Sequence, residues 1–118
     1  MMVAAHFATD EFQEMMEKVQ KGDFSKMEYN HHILAGFKGN MTDDMYRNID
    51  IARRSTGGAG YSSASAFTVL FRNASPMPTY EGDNTVMLGQ ASRYLIKLVT
   101  KANKKQNLPF PFDYLNKM

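Results

Sequence analysis

Glu81 is the residue of this chain best placed for acid–base chemistry, because of what flanks it. It stands between Tyr80 and Gly82, after a loop carrying Pro76 and Pro78 and just before an amphipathic run that opens near Asp83. A carboxylate in that setting is held by a rigid scaffold, while the adjoining glycine leaves room for a ligand. It suits a general base. The same residues also read without any ligand: Glu81, Asp83 and Thr85 make an acidic helix start, which the helix dipole favours.

The run Gly57-Gly58-Ala59-Gly60 is a second candidate, since glycines let backbone N–H groups come close to a phosphate. It follows a helical segment instead of leading from a strand into one, and it lacks the Lys-Ser/Thr of a P-loop. Its ligand-free reading is a helix end and a sharp turn. His31 and His32 are adjacent, so on a helix they point about 100° apart and do not form the i, i+4 pair a metal needs. They and His6 read as surface or partly packed residues. Lys104-Lys105 reads as a solvated helix end, and no Ser, His and Asp set assembles into a nucleophilic triad.

The elements that position these residues follow from periodicity. Phe12, Met15, Met16 and Val19 predict a helix over 10–21, with Thr9 or Asp10 as its cap and Gly22 as its end. Residues 23–30 are polar and predict a connector. Ile33, Phe37, Met41, Met45 and Ile49 recur every fourth residue and predict a second helix over 31–55. Gly36 and Gly39 weaken that helix or allow a neighbour to pack closely. A Ser- and Ala-rich crossing loop follows, with a short helix over 67–72. Met87, Leu88, Ala91, Tyr94, Leu95, Leu98 and Val99 then form one apolar face of a helix over 83–102. The last residues, with Pro109, Phe110, Pro111, Phe112 and Tyr114, predict an extended aromatic tail, exposed unless it packs on something.

Composition removes several classes of function. At 118 residues the chain is one domain long, with a single modest core. The balance of 14 Lys+Arg against 12 Asp+Glu is too even for the basic field of a nucleic-acid binder, so no nucleic-acid partner is expected. A hydrophobic share of 43% against 22% charged residues predicts a globular chain. The absence of Cys excludes disulfides, Cys-ligated zinc, iron–sulfur clusters and a thiol nucleophile, and leaves the redox compartment open. Residues 1–8 do not read as a signal peptide, and no apolar run is long enough for a membrane span.

Read together, the two motifs carry a more specific signal. Arg53-Arg54-Ser55-Thr56-Gly57-Gly58-Ala59-Gly60-Tyr61, then a loop, then Thr79-Tyr80-Glu81-Gly82-Asp83-Asn84-Thr85-Val86-Met87, with Gln90, Ala91 and Arg93 beyond, resembles the C-terminal helical region of acyl-CoA oxidases. Acyl-CoA dehydrogenases share the glycine turn and the Glu-Gly pair but usually differ at the positions of Asp83-Asn84-Thr85. The resemblance covers about 31–97, with 111–116 as a further short stretch, and divides the chain into an unmatched 1–30 and an incomplete family-like domain over 31–118.

The resemblance implies an all-α fold, a partial helical bundle whose long helices flank the catalytic loop. It implies a flavoenzyme that desaturates acyl-CoA to trans-2-enoyl-CoA in fatty-acid β-oxidation and releases hydrogen peroxide. Glu81 then corresponds to the base. Arg53, Gly57, Gly58, Asn84 and Thr85 correspond to the surroundings of FAD, and Tyr80 and Gly82 to those of the acyl-CoA. Ala59 departs from the His usual in the oxidase turn. Members of the family are several times longer, so the implied partners include the flavin-binding domains or a complementing subunit, in a homo- or hetero-oligomer. The alternative is a non-catalytic relic serving as a structural or assembly subunit. The family points to the peroxisome, with mitochondrion or cytoplasm as alternatives, since Asn116-Lys117-Met118 departs from the Ser-Lys-Leu address at two positions. A helix hairpin from a larger bundle leaves apolar surface uncovered, so the isolated chain is expected to self-associate. Sedimentation over a tenfold concentration range checks this: the average mass rises, whereas a clean monomer throughout contradicts it.

Overall fold

The computed structural model describes residues 2–108 and 110–117, with side chains from residue 6 onward. Pro109 and Met118, named above in the tail and the C-terminal tripeptide, lie outside the described residues, as does Met1. The described chain is all-α: α1 (Met2–Gln20), α2 (Met27–Ser55), α3 (Phe67–Ala74) and α4 (Asn84–Asn103), with 3₁₀ turns at Gly57–Tyr61 and Asp113–Lys117. No strand occurs among the described residues.

Helix ends depart from the periodicity in instructive ways. α1 begins at Met2 rather than near Asp10, so Thr9 and Asp10 lie inside the helix and do not cap it. Residues 2–9 hold no Gly or Pro to stop the helix, and alanines favour its continuation. Gly22 ends it as expected, at φ 81°, with Gly22 N–H donating to Val19 O and Asp23 N–H to Lys18 O in a Schellman pattern. α2 starts at Met27, four residues before the expected start at His31. The short connector before it is closed by Ser25 N–H donating to Asp23 Oδ1. α3 runs two residues past its expected end, to Ala74, and α4 matches within a residue at each end.

The chain divides into two compact units, Met1–Ala35 with Gly89–Met118, and Gly36–Leu88. In the first, Leu98, Leu108, Phe112 and Leu115 form the buried core, with Tyr29, Tyr94, Leu95, Val99 and Ala102 packed against it. The aromatic tail is therefore neither extended nor wholly exposed. Asn116 folds it back through reciprocal bonds, its Oδ1 accepting from Leu108 N–H at 2.9 Å and its Nδ2 donating to Leu108 O at 3.0 Å. The Phe112 ring lies 5.9 Å from Tyr29 and 5.8 Å from Tyr94, both edge-on. His32 stacks on Tyr94 at 4.9 Å, and its Nδ1 lies 2.9 Å from Ala91 O; a carbonyl only accepts, so Nδ1 carries the proton. Burial pushes the Tyr29 and Tyr94 phenols up. At the rim, Lys26 binds Glu11 and Glu14, and Lys97 meets Glu28 at 2.7 Å; the lysine bonds hold the Glu14 and Glu28 carboxyls below their usual range.

In the second unit, Gly39 on α2 faces Leu88, where an added Cβ would meet the Leu88 side chain at 2.8 Å. Of the two roles open to this glycine, close packing is the one it fills. The Tyr46 ring meets the Phe71 ring of α3 edge-on at 5.5 Å. Large apolar side chains stay exposed on several elements, including Phe12 and Met16 on α1 and Val86 and Ile96 on α4.

Phe112→Ala is expected to lower unfolding free energy by about 3–5 kcal/mol, the usual loss for a buried phenylalanine. Phe110→Ala, at a side chain 84% exposed, is expected to change it by less than about 0.5 kcal/mol. Urea titration followed by helical circular dichroism reads both; equal effects would contradict the folded-back tail.

Candidate functional site

Pro78 to Asp83 form the turn that carries Glu81 into α4. Thr79 N–H and Tyr80 N–H both donate to Pro76 O at 3.0 Å, which coils the chain after the two prolines. Glu81 then takes φ 57° and Gly82 φ 104°. Two successive left-handed residues reverse the chain sharply, and only the second is a glycine. For Glu81 this conformation costs about 1–2 kcal/mol, which the surroundings must offset. Its carboxylate is exposed and takes no hydrogen bond or ion pair among the described residues.

The helix start and the candidate base turn out to be different residues. Asp83 is the cap: its Oδ1 accepts Thr85 N–H at 2.9 Å and its carbonyl accepts Met87 N–H at 2.9 Å. Glu81 takes no part in this. Gly82 is also sterically constrained, since a Cβ there would come within 2.7 Å of Met87 Sδ.

What fixes the turn is a buried polar network on α2. Asn84 is 6% exposed, and the two N–H donors of its Nδ2 face three acceptors, Gly39 O at 3.0 Å, Thr42 Oγ1 at 2.8 Å and Asp43 Oδ1 at 2.7 Å. Its Oδ1 accepts from Lys38 Nζ at 2.7 Å, and its own N–H donates to Pro78 O at 2.8 Å. Lys38 Nζ also donates to Pro78 O and Gly82 O. Lys38, Thr42 and Asp43 were not singled out from the sequence. They lie more than 40 residues before Asn84 in the chain, and their spacing of four and five marks only one face of a helix. Asn84 itself, implied to lie beside FAD, has its side chain committed inside the chain; Thr85, next to it, is exposed.

The glycine turn lies in the same unit. Gly57 has φ 59°, and Gly58 is exposed, with nothing within 4 Å of an added Cβ. Gly60 is the sterically strict position: a Cβ there would collide with the Arg53 carbonyl oxygen and the Thr56 hydroxyl. Arg53 is held by Asp50, whose Oδ1 accepts from Arg53 Nη2 at 3.0 Å, and its guanidinium lies 5.9 Å from the Phe71 ring centre. The Arg53 hydrogen bond, joined by the charge of Arg54, holds the Asp50 carboxyl below its usual range. The i, i+3 and i, i+4 spacing of Asp50 to Arg53 and Arg54 was the available signal for this triad. Arg53, Gly60, Tyr61, Ser62, Ser63, Thr68 and Phe71 line an open, mainly apolar concavity of about 880 Å³ that also presents the Arg53 guanidinium and the hydroxyls of Ser62, Ser63 and Thr68. Among the described residues no group of three His, Asp or Glu could hold a metal, and no helix is long and apolar enough to cross a membrane.

Comparison with known proteins gives one consistent answer. Residues 1–96 match the family model described as acyl-CoA oxidase, C-alpha1 domain. That match takes in the first thirty residues, where the sequence by itself showed no resemblance. An acyl-coenzyme A oxidase of Caenorhabditis elegans is 37% identical over 106 residues, 88% of this chain and 16% of that protein. Peroxisomal acyl-coenzyme A oxidase 1 of Mus musculus is 29% identical over 110 residues, 93% of this chain and 17% of that protein. The structure of Arabidopsis thaliana acyl-CoA oxidase 1 superposes with a TM-score of 0.83 and 27% identity, covering 97% of this chain and 19% of that one. The chain thus spans less than a fifth of each of these relatives.

Gly60→Ala is expected to destabilise the chain by about 1–3 kcal/mol, because one of the atoms it meets is main chain and cannot swing away. Gly58→Ala, in open space, is expected to leave stability unchanged or raise it by up to about 1 kcal/mol. Thermal unfolding of both variants checks the contrast.

Proposed function

This chain belongs to the acyl-CoA oxidase family, and from that premise we propose that it carries the catalytic-base segment of a flavin-dependent oxidation of acyl-CoA thioesters. The observation that carries the reading is Glu81 itself, a carboxylate with no partner among the described residues, presented on a left-handed turn that a buried network holds in place. The two motifs that suggested the family also fall within one unit.

The residues fit an anionic dinucleotide such as FAD. Gly57 and Gly58 leave open space at the turn, and Arg53 with the hydroxyls of Ser62, Ser63 and Thr68 supplies donors suited to phosphoryl oxygens. Arg53, Gly57, Gly58 and Thr85 would hold it, while Asn84 would act by fixing the turn. Bound there, FAD would supply the acceptor for the β-hydride of the substrate and the route of its electrons to oxygen, with hydrogen peroxide as the product. Glu81 takes the α-proton onto its carboxylate as the α,β double bond forms. Gly82 beside it lets the backbone turn at positive φ close against Met87, and Tyr80 flanks the approach. Removal of a carbon-bound proton needs a water-poor setting, so the exposed Glu81 calls for cover from further polypeptide, either the remaining domains of a longer chain or a complementing subunit. Relatives whose names carry the word peroxisomal support the same compartment for this chain.

The test compares Glu81→Gln with Asp83→Asn in a full-length oxidase carrying this segment, with peroxide release followed on a saturated acyl-CoA. Glu81→Gln is expected to retain flavin and acyl-CoA binding and to lose about 10² to 10⁴-fold in turnover. Asp83→Asn is expected to keep turnover, at a stability loss of at most about 1 kcal/mol from a weaker cap. Near-normal turnover in Glu81→Gln would overturn the assignment of the base.

A further inference from the structure

Lys38 is a charged side chain in an unusual position. It is half-buried on α2, forms no ion pair among the described residues, and spends its three N–H donors on Pro78 O at 3.2 Å, Gly82 O, and Asn84 Oδ1 at 2.7 Å. Pro78 and Gly82 lie on either side of Glu81. Asn84 is the first residue of α4, and its N–H shares the Pro78 carbonyl with the ammonium. One cation therefore gathers both ends of the turn and the head of the following helix onto a single point.

We infer that Lys38 is the positioning residue of the candidate base: its ammonium holds Pro78 O and Gly82 O together and so keeps Glu81 in the left-handed conformation that aims its carboxylate. The inference rests on the reading of Glu81 as base for its catalytic consequence, but not for its structural one. Three features require the ammonium specifically. The acceptors converge on one atom, which suits a compact tetrahedral donor and not the planar fork of arginine. Two of them are main-chain carbonyls that only the ammonium links to each other: without it Pro78 O keeps the Asn84 N–H, while the bond that ties Gly82 O to it is lost. The Glu81 side chain makes no hydrogen bond or ion pair among the described residues to fix its backbone, and its φ of 57° is one a non-glycine residue abandons when released.

The chain has no cysteine, which permits a test at this one position. In Lys38→Cys, amide hydrogen exchange at Asn84 reads the closure of the turn. We expect exchange there to quicken at least tenfold relative to the unmodified chain, while amides in the Leu98 core stay within twofold. Aminoethylation of the introduced thiol restores an ammonium at the same reach and should restore slow exchange; alkylation with a propyl group of similar length should not. Unchanged protection in Lys38→Cys, or equal recovery with the neutral group, would overturn the inference. Lys38→Arg provides a second variant, in which protection is expected to fall between the two; full protection there would overturn the requirement for three donors converging from one atom.

Activity supplies the link to the base. In a full-length oxidase carrying this segment, Lys38→Met is expected to lower kcat by about 10²-fold, the usual effect of misplacing a catalytic group by an ångström, with KM for acyl-CoA changed less than threefold. Added to Glu81→Gln, it should lower kcat by less than threefold further, because it acts through Glu81. An undiminished loss in that background would overturn the positioning role. If Glu81→Gln alone retains turnover, it is the base that has been misassigned, and the exchange experiment still decides whether Lys38 holds the turn.

Discussion

Half of a hydrogen-bond network lies on one turn of α2, and the other half on the strained loop it confronts. Lys38, Thr42 and Asp43 project from α2; Pro78, Gly82 and Asn84 belong to the turn and to the head of α4. Their mutual satisfaction is what permits a polar amide to be buried and a non-glycine residue to sit at positive φ. A buried amide is costly unless its hydrogen bonds are made, and a left-handed glutamate is costly in any event. Either feature alone would favour rearrangement. Joined through Asn84 they hold each other, since the loop reaches the network only in the left-handed turn, and the network is satisfied only if the loop arrives.

Much of the fold could be read from spacing. The fourfold repeat from Ile33 to Ile49 and the face from Met87 to Val99 are buried or half-buried, as periodicity requires. Where the reading stopped short, the reason was that the helix ends carry no fourfold apolar repeat. α1 and α2 both begin before it, at 2–9 and 27–30, through residues with no breaker, and there Ala8, Tyr29 and the polar Asn30 are packed without forming such a repeat. The tail was harder, because its folding depends on Asn116 returning to Leu108 and on Phe112 meeting the rings of Tyr94 on α4 and of Tyr29, far back in the chain on α2. A local pattern of prolines and aromatics carries no trace of them.

The site was legible in a different way. Glu81 and the glycine turn stood out by residue type, and Asp83 could be named as a helix start, but the sequence did not separate the cap from the base. The structure separates them through φ: Asp83 bonds to the helix it opens, while Glu81 stands in the preceding turn at 57°. Gly60 shows the converse. All three glycines of the turn looked alike in sequence, yet only Gly60 is forced by contact, whereas Gly57 is set by its φ and Gly58 by neither. Lys38 was invisible because a single lysine on an amphipathic helix is most simply a solvated charge, and its acceptors lie 40 to 46 residues away.

This arrangement divides the requirements of proton abstraction between what this chain provides and what must surround it. Direction is provided here: the turn fixes the backbone at Glu81, and the network fixes the turn. Dryness is not, because Glu81 is exposed in a chain that spans about 16–17% of two curated relatives. A carboxylate in water is a weak base toward a carbon acid, and its strength there comes from losing solvent once substrate and neighbouring polypeptide close over it. On the proposed reading, an exposed Glu81 is therefore the expected state of this part by itself. Geometry is built in early by local hydrogen bonds, and reactivity is conferred later by burial. The two can be separated physically because the network that holds the turn bonds to Pro78, Gly82 and Asn84 and leaves the exposed Glu81 side chain itself free to be covered.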